Sequence, residues 1–131
     1  MAASRRAVKV GWVISILVSL VFVFSATMKL VGGGELAKGM EHIELAGRIP
    51  LVPLTILELT VVTVYLVPPT AVLGVIVLTG YLGGAILTHW RVGDMFVTHV
   101  VLGILIWLGI YLREERLRAL IPVRRCVSTL P

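Results

Sequence analysis

Few side chains in this 131-residue sequence can do chemistry, and most of those that can interrupt long apolar runs. Glu58 is the eighth residue of the run Leu51–Val67, roughly 10 Å along a helix at ~1.5 Å per residue. Lys29 lies near the end of the run Val10–Val31, and Ser25 precedes it by one turn on the same helical face. Tyr81 and His89 are two turns apart in the run Thr70–His89. Asp94 and His99 fall at the start of a fourth run, Met95–Leu112, with Thr88 and Thr98 flanking them. A carboxylate, an ammonium, a phenol and two imidazoles at similar depth are groups that exchange protons or hydrogen-bond a polar ligand.

Each of these residues also has a plainer reading. An ionisable group at a bilayer centre costs at least ~2.5–3.5 kcal/mol, so it normally faces the interior of a bundle with a partner. Glu58 is then either a buried structural carboxylate, protonated or paired with Lys29, or the wall of a ligand cavity or proton path. Lys29 either pairs with Glu58 or snorkels to the headgroups. His89, Asp94 and His99 carry metal-donor atoms, yet their spacing fits no standard zinc motif and no HExxH is present, so no metal site is expected. Haem ligation by the two histidines is disfavoured because both fall at the same membrane edge.

The elements that must position these groups follow from hydropathy. The chain is 58% hydrophobic and 15% charged, with a mean hydropathy of +1.02, whereas soluble domains are about 45–50% apolar and about 25% charged. Four apolar runs approach the ~17–25 residues a helix needs to cross a bilayer, which predicts an all-α, four-transmembrane-helix bundle forming a single membrane domain over residues 1–131. Pro68-Pro69 lacks two backbone donors and forces a tight turn between the second and third spans. Between the first two, Leu36, Met40 and Ile43 recur at helical spacing with Lys38, Glu41 and Glu44 on other faces. That pattern predicts a short amphipathic interfacial helix bounded by Gly34 and Gly47. Gly80 and Gly84 form a GxxxG in the third span, and Gly74, Gly103 and Gly109 add small residues for packing between helices. Trp12, Trp90 and Trp107, with Tyr111, read as interfacial anchors.

Charge placement excludes some functions. The formal net charge is +5, but the basic residues flank the spans without interleaved aromatics, so nucleic acid is not an expected partner and membrane lipids are. Eight Lys and Arg residues sit in the N-terminal arm and in the tail beyond Leu112, against three in the other connections (Lys38, Arg48, Arg91), which predicts both termini in the cytoplasm of a multi-pass cell-membrane protein. The one cysteine, Cys126, permits no disulfide or CxxC pair within the chain. The N-terminal apolar run exceeds a signal-peptide core and lacks an A-x-A site, so it reads as an uncleaved span.

Several stretches together resemble the DoxX and DoxX-like membrane proteins. Phe24-Ser25-Ala26-Thr27-Met28-Lys29-Leu30 is similar to that family's F-S-x-x-x-K-L signature in the first helix. Glu58 fits its acidic position, and the run Leu66–Gly74 across Pro68-Pro69 fits as well. Leu78–Ala85, followed by Thr88-His89 and Arg91–Asp94, carries the most specific part, and the likeness extends from about Val10 to Arg118. The resemblance implies a four-helix membrane bundle whose relatives include a subunit of a thiosulfate:quinone oxidoreductase, components of oxidative-stress membrane complexes and chaperone-like proteins. It also implies that Lys29, Glu58, Tyr81 and His89 line a pocket.

The leading expectation is therefore a redox-associated accessory that holds a small lipophilic ligand, such as a quinone, in a polar pocket in the outer half of the bundle. Glu58 and His89 would exchange protons with the ligand. Lys29 would hold Glu58 ionised or stabilise an oxyanion, while Ser25, Tyr81, Asp94 and His99 would contact the ligand. One rival is a membrane enzyme of isomerase or lyase type with Glu58 as general base. Another is an assembly factor or partner-binding subunit without catalysis, acting as a homo-oligomer or beside a partner membrane subunit. A small multidrug transporter is discounted, because the buried glutamate of that family lies in the first span.

Overall fold

The structure is a computed structural model that describes residues 4–31, 38 and 51–121. The predicted amphipathic helix before the second span lies, apart from Lys38, outside the described residues, as does the tail with Cys126. Among the described residues there are four long helices, α1 (Arg5–Val31), α2 (Leu51–Leu66), α3 (Ala71–Arg91) and α4 (Val97–Arg113), and a short α5 (Glu115–Leu120) after them. The described residues contain no strand.

The boundaries have local causes. At Pro68–Thr70 the chain makes one 3₁₀ turn, since neither proline can donate a backbone hydrogen bond. The Thr70 hydroxyl donates to the Val64 carbonyl at 2.9 Å, satisfying one of the acceptors left open at the end of α2. The end of α3 is closed by a Schellman motif: Asp94 N–H donates to His89 O at 2.9 Å and Gly93 N–H to Trp90 O at 3.0 Å. Gly93 has φ +73°, a conformation in which a Cβ would be strained. The third helix therefore runs two residues past the predicted end at His89, and Asp94, expected to start the fourth helix, sits instead in the connecting turn.

Each long helix packs against two others, α1 on α2 and α4, and α3 on α2 and α4, so the four close into a ring. On α1 the buried face is Gly11, Ser15, Val18, Ser19, Phe22 and Ala26, spaced three and four apart as one helical stripe requires. Tyr65, Val75, Leu78, Ile106 and Ile110 fill the centre with no exposure at all. The outward faces are apolar as well: Leu17, Leu20, Phe24, Leu73, Ile76, Leu87 and Ile104 are all more than half or nearly half exposed. Only 28% of the most apolar window of α1, and 28% of that around α3, is buried within the bundle. Core helices of a soluble protein would be mostly buried, whereas these present hydrocarbon outward on a scale that soluble surfaces avoid. Helices α1 and α3 are long and apolar enough to cross a membrane, and α2 and α4 are shorter apolar helices of the same character.

Candidate functional site

Two polar clusters lie at opposite ends of this apolar bundle. At the C-terminal end of α1, Lys29 Nζ forms an ion pair with Glu58 Oε2 of α2. Glu58 is 2% exposed and the Lys29 side chain 12%. Lys29 also donates to Ser25 Oγ at 2.9 Å and approaches the Tyr81 hydroxyl of α3 at 3.5 Å. Tyr81 is held from the other side by an edge-on contact with Phe22, the ring centroids 6.3 Å apart. Ser25 and Lys29 meet because they are four residues apart on α1, and α2 brings Glu58 to the same level. A bare carboxylate at this depth would be costly, and the ammonium offsets that cost by direct contact.

Beside this group stand the two histidines. The rings of His89 on α3 and His99 on α4 are 4.5 Å apart between centroids, tilted by 41°. His89 Nδ1 lies 2.8 Å from the Ala85 carbonyl. A carbonyl can only accept, so Nδ1 carries the proton, and in a neutral ring Nε2 is left as an acceptor. His99 Nδ1 is buried and has no hydrogen-bond partner, which is uncommon enough to require an explanation.

The residues named from sequence thus divide. Ser25, Lys29, Glu58 and Tyr81 come together from three helices, and His89 and His99 form an adjacent pair contributed by α3 and α4. Asp94 is half-buried, and its Oδ1 accepts from the backbone N–H of Met95 at 2.8 Å, so the carboxylate helps to shape the turn. Thr88 and Thr98 are not drawn into the cluster; Thr88 turns its hydroxyl back onto the Gly84 carbonyl of its own helix. Among the described residues no three His, Cys, Asp or Glu side chains gather in a way that could hold a metal ion.

The second cluster, at the basic end, is one that the sequence reading missed. Tyr65 of α2 is fully buried, shares a 2.9 Å hydrogen bond with Ser15 Oγ of α1 and donates to the Ile106 carbonyl of α4 at 3.0 Å. Arg113 donates to the Tyr65 carbonyl, and its guanidinium lies 4.5 Å from the centre of the Trp12 ring and 4.7 Å from that of Tyr65. Glycines make the close approach possible. A Cβ on Gly109 would lie 2.7 Å from Ser15 Oγ, and one on Gly11 would lie 2.8 Å from the Gly109 carbonyl. A Cβ on Gly74 would run into the backbone of Tyr65. The signal that could have found this cluster is the spacing Gly11, Ser15, Ser19, three small residues four apart on one face of an apolar helix. Trp12 and Trp107 also gain specific contacts beyond interfacial anchoring, since Trp107 Nε1 donates to Thr79 Oγ1 across α3 and α4 at 2.9 Å.

The packing glycines are not the GxxxG pair. At Gly80, Gly83 and Gly84 an added Cβ would meet nothing within 4 Å, so these positions are open on the outside of α3.

No curated protein and no solved structure matches this chain. A model of the DoxX-like family matches residues 13–111, a stretch that includes Ser15, Tyr65, the Lys29–Glu58 pair, Tyr81 and both histidines. The matched region covers about three quarters of the sequence, and the chain is a membrane protein of the DoxX-like family.

Proposed function

We propose that this protein is a redox-associated membrane accessory that binds a small lipophilic ligand of quinone type at the Lys29–Glu58–Tyr81 cluster. The observation that carries the reading is the buried Lys29–Glu58 pair, joined by Ser25 and Tyr81 and neighboured by two imidazoles, in a bundle with apolar outer faces. Replacing a buried ion pair by packed hydrophobic residues is often neutral or stabilising, so stability alone is a weak reason for a membrane bundle to contain one. A quinone carries two carbonyls on a lipophilic ring. Its reduction takes up two protons with two electrons, and Glu58 and His89 are groups able to exchange those protons. Lys29 pairs with Glu58, and Tyr81 can donate to a carbonyl. The electrons would come from a partner subunit, which makes the role an accessory one.

In this reading all four long helices span the membrane, with both termini in the cytoplasm and the Lys29 cluster in the outer half. The excess of Lys and Arg at the N-terminal arm and C-terminal tail supports that orientation. Helices α2 and α4 are about 24–26 Å long at 1.5 Å per residue, and a bilayer accommodates such short spans by local thinning.

Native mass spectrometry of the protein in mild detergent, with extraction and identification of co-purifying lipids, tests the reading. A stoichiometric quinone or similar lipophile that is lost in Glu58→Gln and reduced in His89→Ala is expected. Equal retention in wild type and both variants would sink it.

One observation favours a second reading, that of a partner-binding subunit. Gly80 and Gly84 form an open small-residue face on α3, suited to close approach by another apolar helix. Under this reading Gly80→Leu abolishes recovery of a membrane partner, while Glu58→Gln leaves it intact.

A further inference from the structure

A groove of about 480 Å³ runs between α3 and α4 on the outside of the bundle, within the ~300–1,000 Å³ typical of small-molecule sites. Leu82, Gly83 and Ile86 form one wall and Val100, Gly103 and Ile104 the other. The Trp107–Thr79 hydrogen bond bridges the two helices at one end, and His99 stands at the other. From His99 to Trp107 is eight residues, about 12 Å along α4.

The groove exists because glycine faces it from both sides. An added Cβ at Gly83 would meet nothing within 4 Å, and one at Gly103 would meet only Leu82 Cδ1, at 3.7 Å. At Gly11, Gly74 and Gly109 the missing side chain lets helices touch, whereas here it leaves a furrow. At its polar end is the unpartnered Nδ1 of His99, beside His89, whose Nε2 is left to accept. Histidine χ2 is a soft torsion, so the His99 ring can turn that nitrogen toward a ligand.

We infer that this groove is the lateral berth for the tail of the ligand: a single-chain lipophile whose uncharged, hydrogen-bonding head reaches His99 and the Lys29 cluster while its alkyl or isoprenoid chain lies between α3 and α4. The inference rests on the ligand-site reading above and specifies ligand class and route of entry. Charge selects the head. The Lys29 ammonium is already neutralised by Glu58, so a phosphate would find no free counter-charge there, whereas a carbonyl or hydroxyl finds hydrogen-bonding partners. Width selects the tail. The furrow lies between two helices in direct contact, and so it admits a flexible chain and excludes a third helix.

The test compares a decyl-tailed benzoquinone with its tailless parent, both titrated against the full-length protein in detergent. Each variant is read against wild type, so that partitioning of the tail into micelles cancels. Wild type is expected to favour the tailed form at least tenfold. Gly83→Leu, which fills the groove without touching the bundle, should remove that preference and leave the tailless affinity and the thermal midpoint unchanged. Gly103→Leu blocks the groove from the opposite wall and should act alike. Glu58→Gln should weaken both ligands. Undiminished preference in both glycine variants overturns the groove, and the cluster reading survives if Glu58→Gln still weakens both. A wild type that binds neither quinone overturns both readings.

Discussion

The two polar clusters are built from similar side chains and differ in what surrounds them. At the basic end, the Tyr65 hydroxyl has a partner on α1 and another on α4; Gly109 lies against it, Gly74 packs on the Tyr65 backbone, and Gly11 packs on Gly109. A ligand has no room there, and the hydroxyl has no further need of one. At the far end a carboxylate is buried against an ammonium, α3 presents open glycines, and a His99 nitrogen lacks a partner, as Arg113 Nη1 does at the basic end. A tyrosine hydroxyl satisfied from two helices, beside the Arg113 guanidinium and among close-packed glycines, holds helices in register. The far end instead pairs two buried charges, and His99, of the neighbouring imidazole pair, lines a furrow that the helices leave open.

This contrast can be broken by substitution, and the largest effect belongs to the ion pair. Lys29→Met leaves a buried carboxylate without its counter-charge and should destabilise the bundle by about 3–5 kcal/mol, read as a lowered midpoint in detergent-unfolding titrations. Lys29→Met combined with Glu58→Met should recover most of that loss, because both charges go together. If the double variant is as unstable as the single one, the pair is an indispensable structural element and the contrast collapses.

Next in size is the lock. Gly109→Ala places a Cβ 2.7 Å from Ser15 Oγ and should cost about 1–3 kcal/mol through overpacking. Tyr65→Phe removes the donor to the Ile106 carbonyl and a partner of Ser15, for about 1–2 kcal/mol, and should leave ligand binding unchanged. A Tyr65→Phe variant that loses ligand would merge the two clusters into one functional unit. The smallest effect is expected at Gly84→Ala, where nothing lies within 4 Å of the new Cβ; stability should stay within about 0.5 kcal/mol of wild type.

Much of the fold was legible in the sequence because hydropathy and Pro68-Pro69 write the helices plainly. The starts and stops were less so. Helix α1 begins at Arg5, five residues before its apolar run, since basic side chains are compatible with helix and carry their charges out of the hydrocarbon. The extension of α3 past His89 depends on a backbone capping motif around Gly93 that hydropathy does not register. The similar level of Lys29 and Glu58 was readable from depth, but their meeting was one of two readings, since Lys29 could instead have snorkelled to the headgroups; the structure pairs them. The facing of helices was not readable, because lipid makes the outer face as apolar as the inner and erases the amphipathic signal that marks buried faces in soluble proteins. For that reason nothing marked Tyr65 as a buried polar group, and of the glycines expected to pack helices Gly74 and Gly109 do so while Gly80 and Gly84 stand open.

The measurement that bears most directly on the division between lock and site is ligand stoichiometry by native mass spectrometry in three proteins: wild type, Tyr65→Phe and the Lys29→Met/Glu58→Met double variant. Thermal midpoints measured alongside establish that all three are folded. The account predicts one lipophile per chain in wild type and in Tyr65→Phe, and none in the double variant despite its recovered stability. A double variant that is folded and still carries the same lipophile would contradict it.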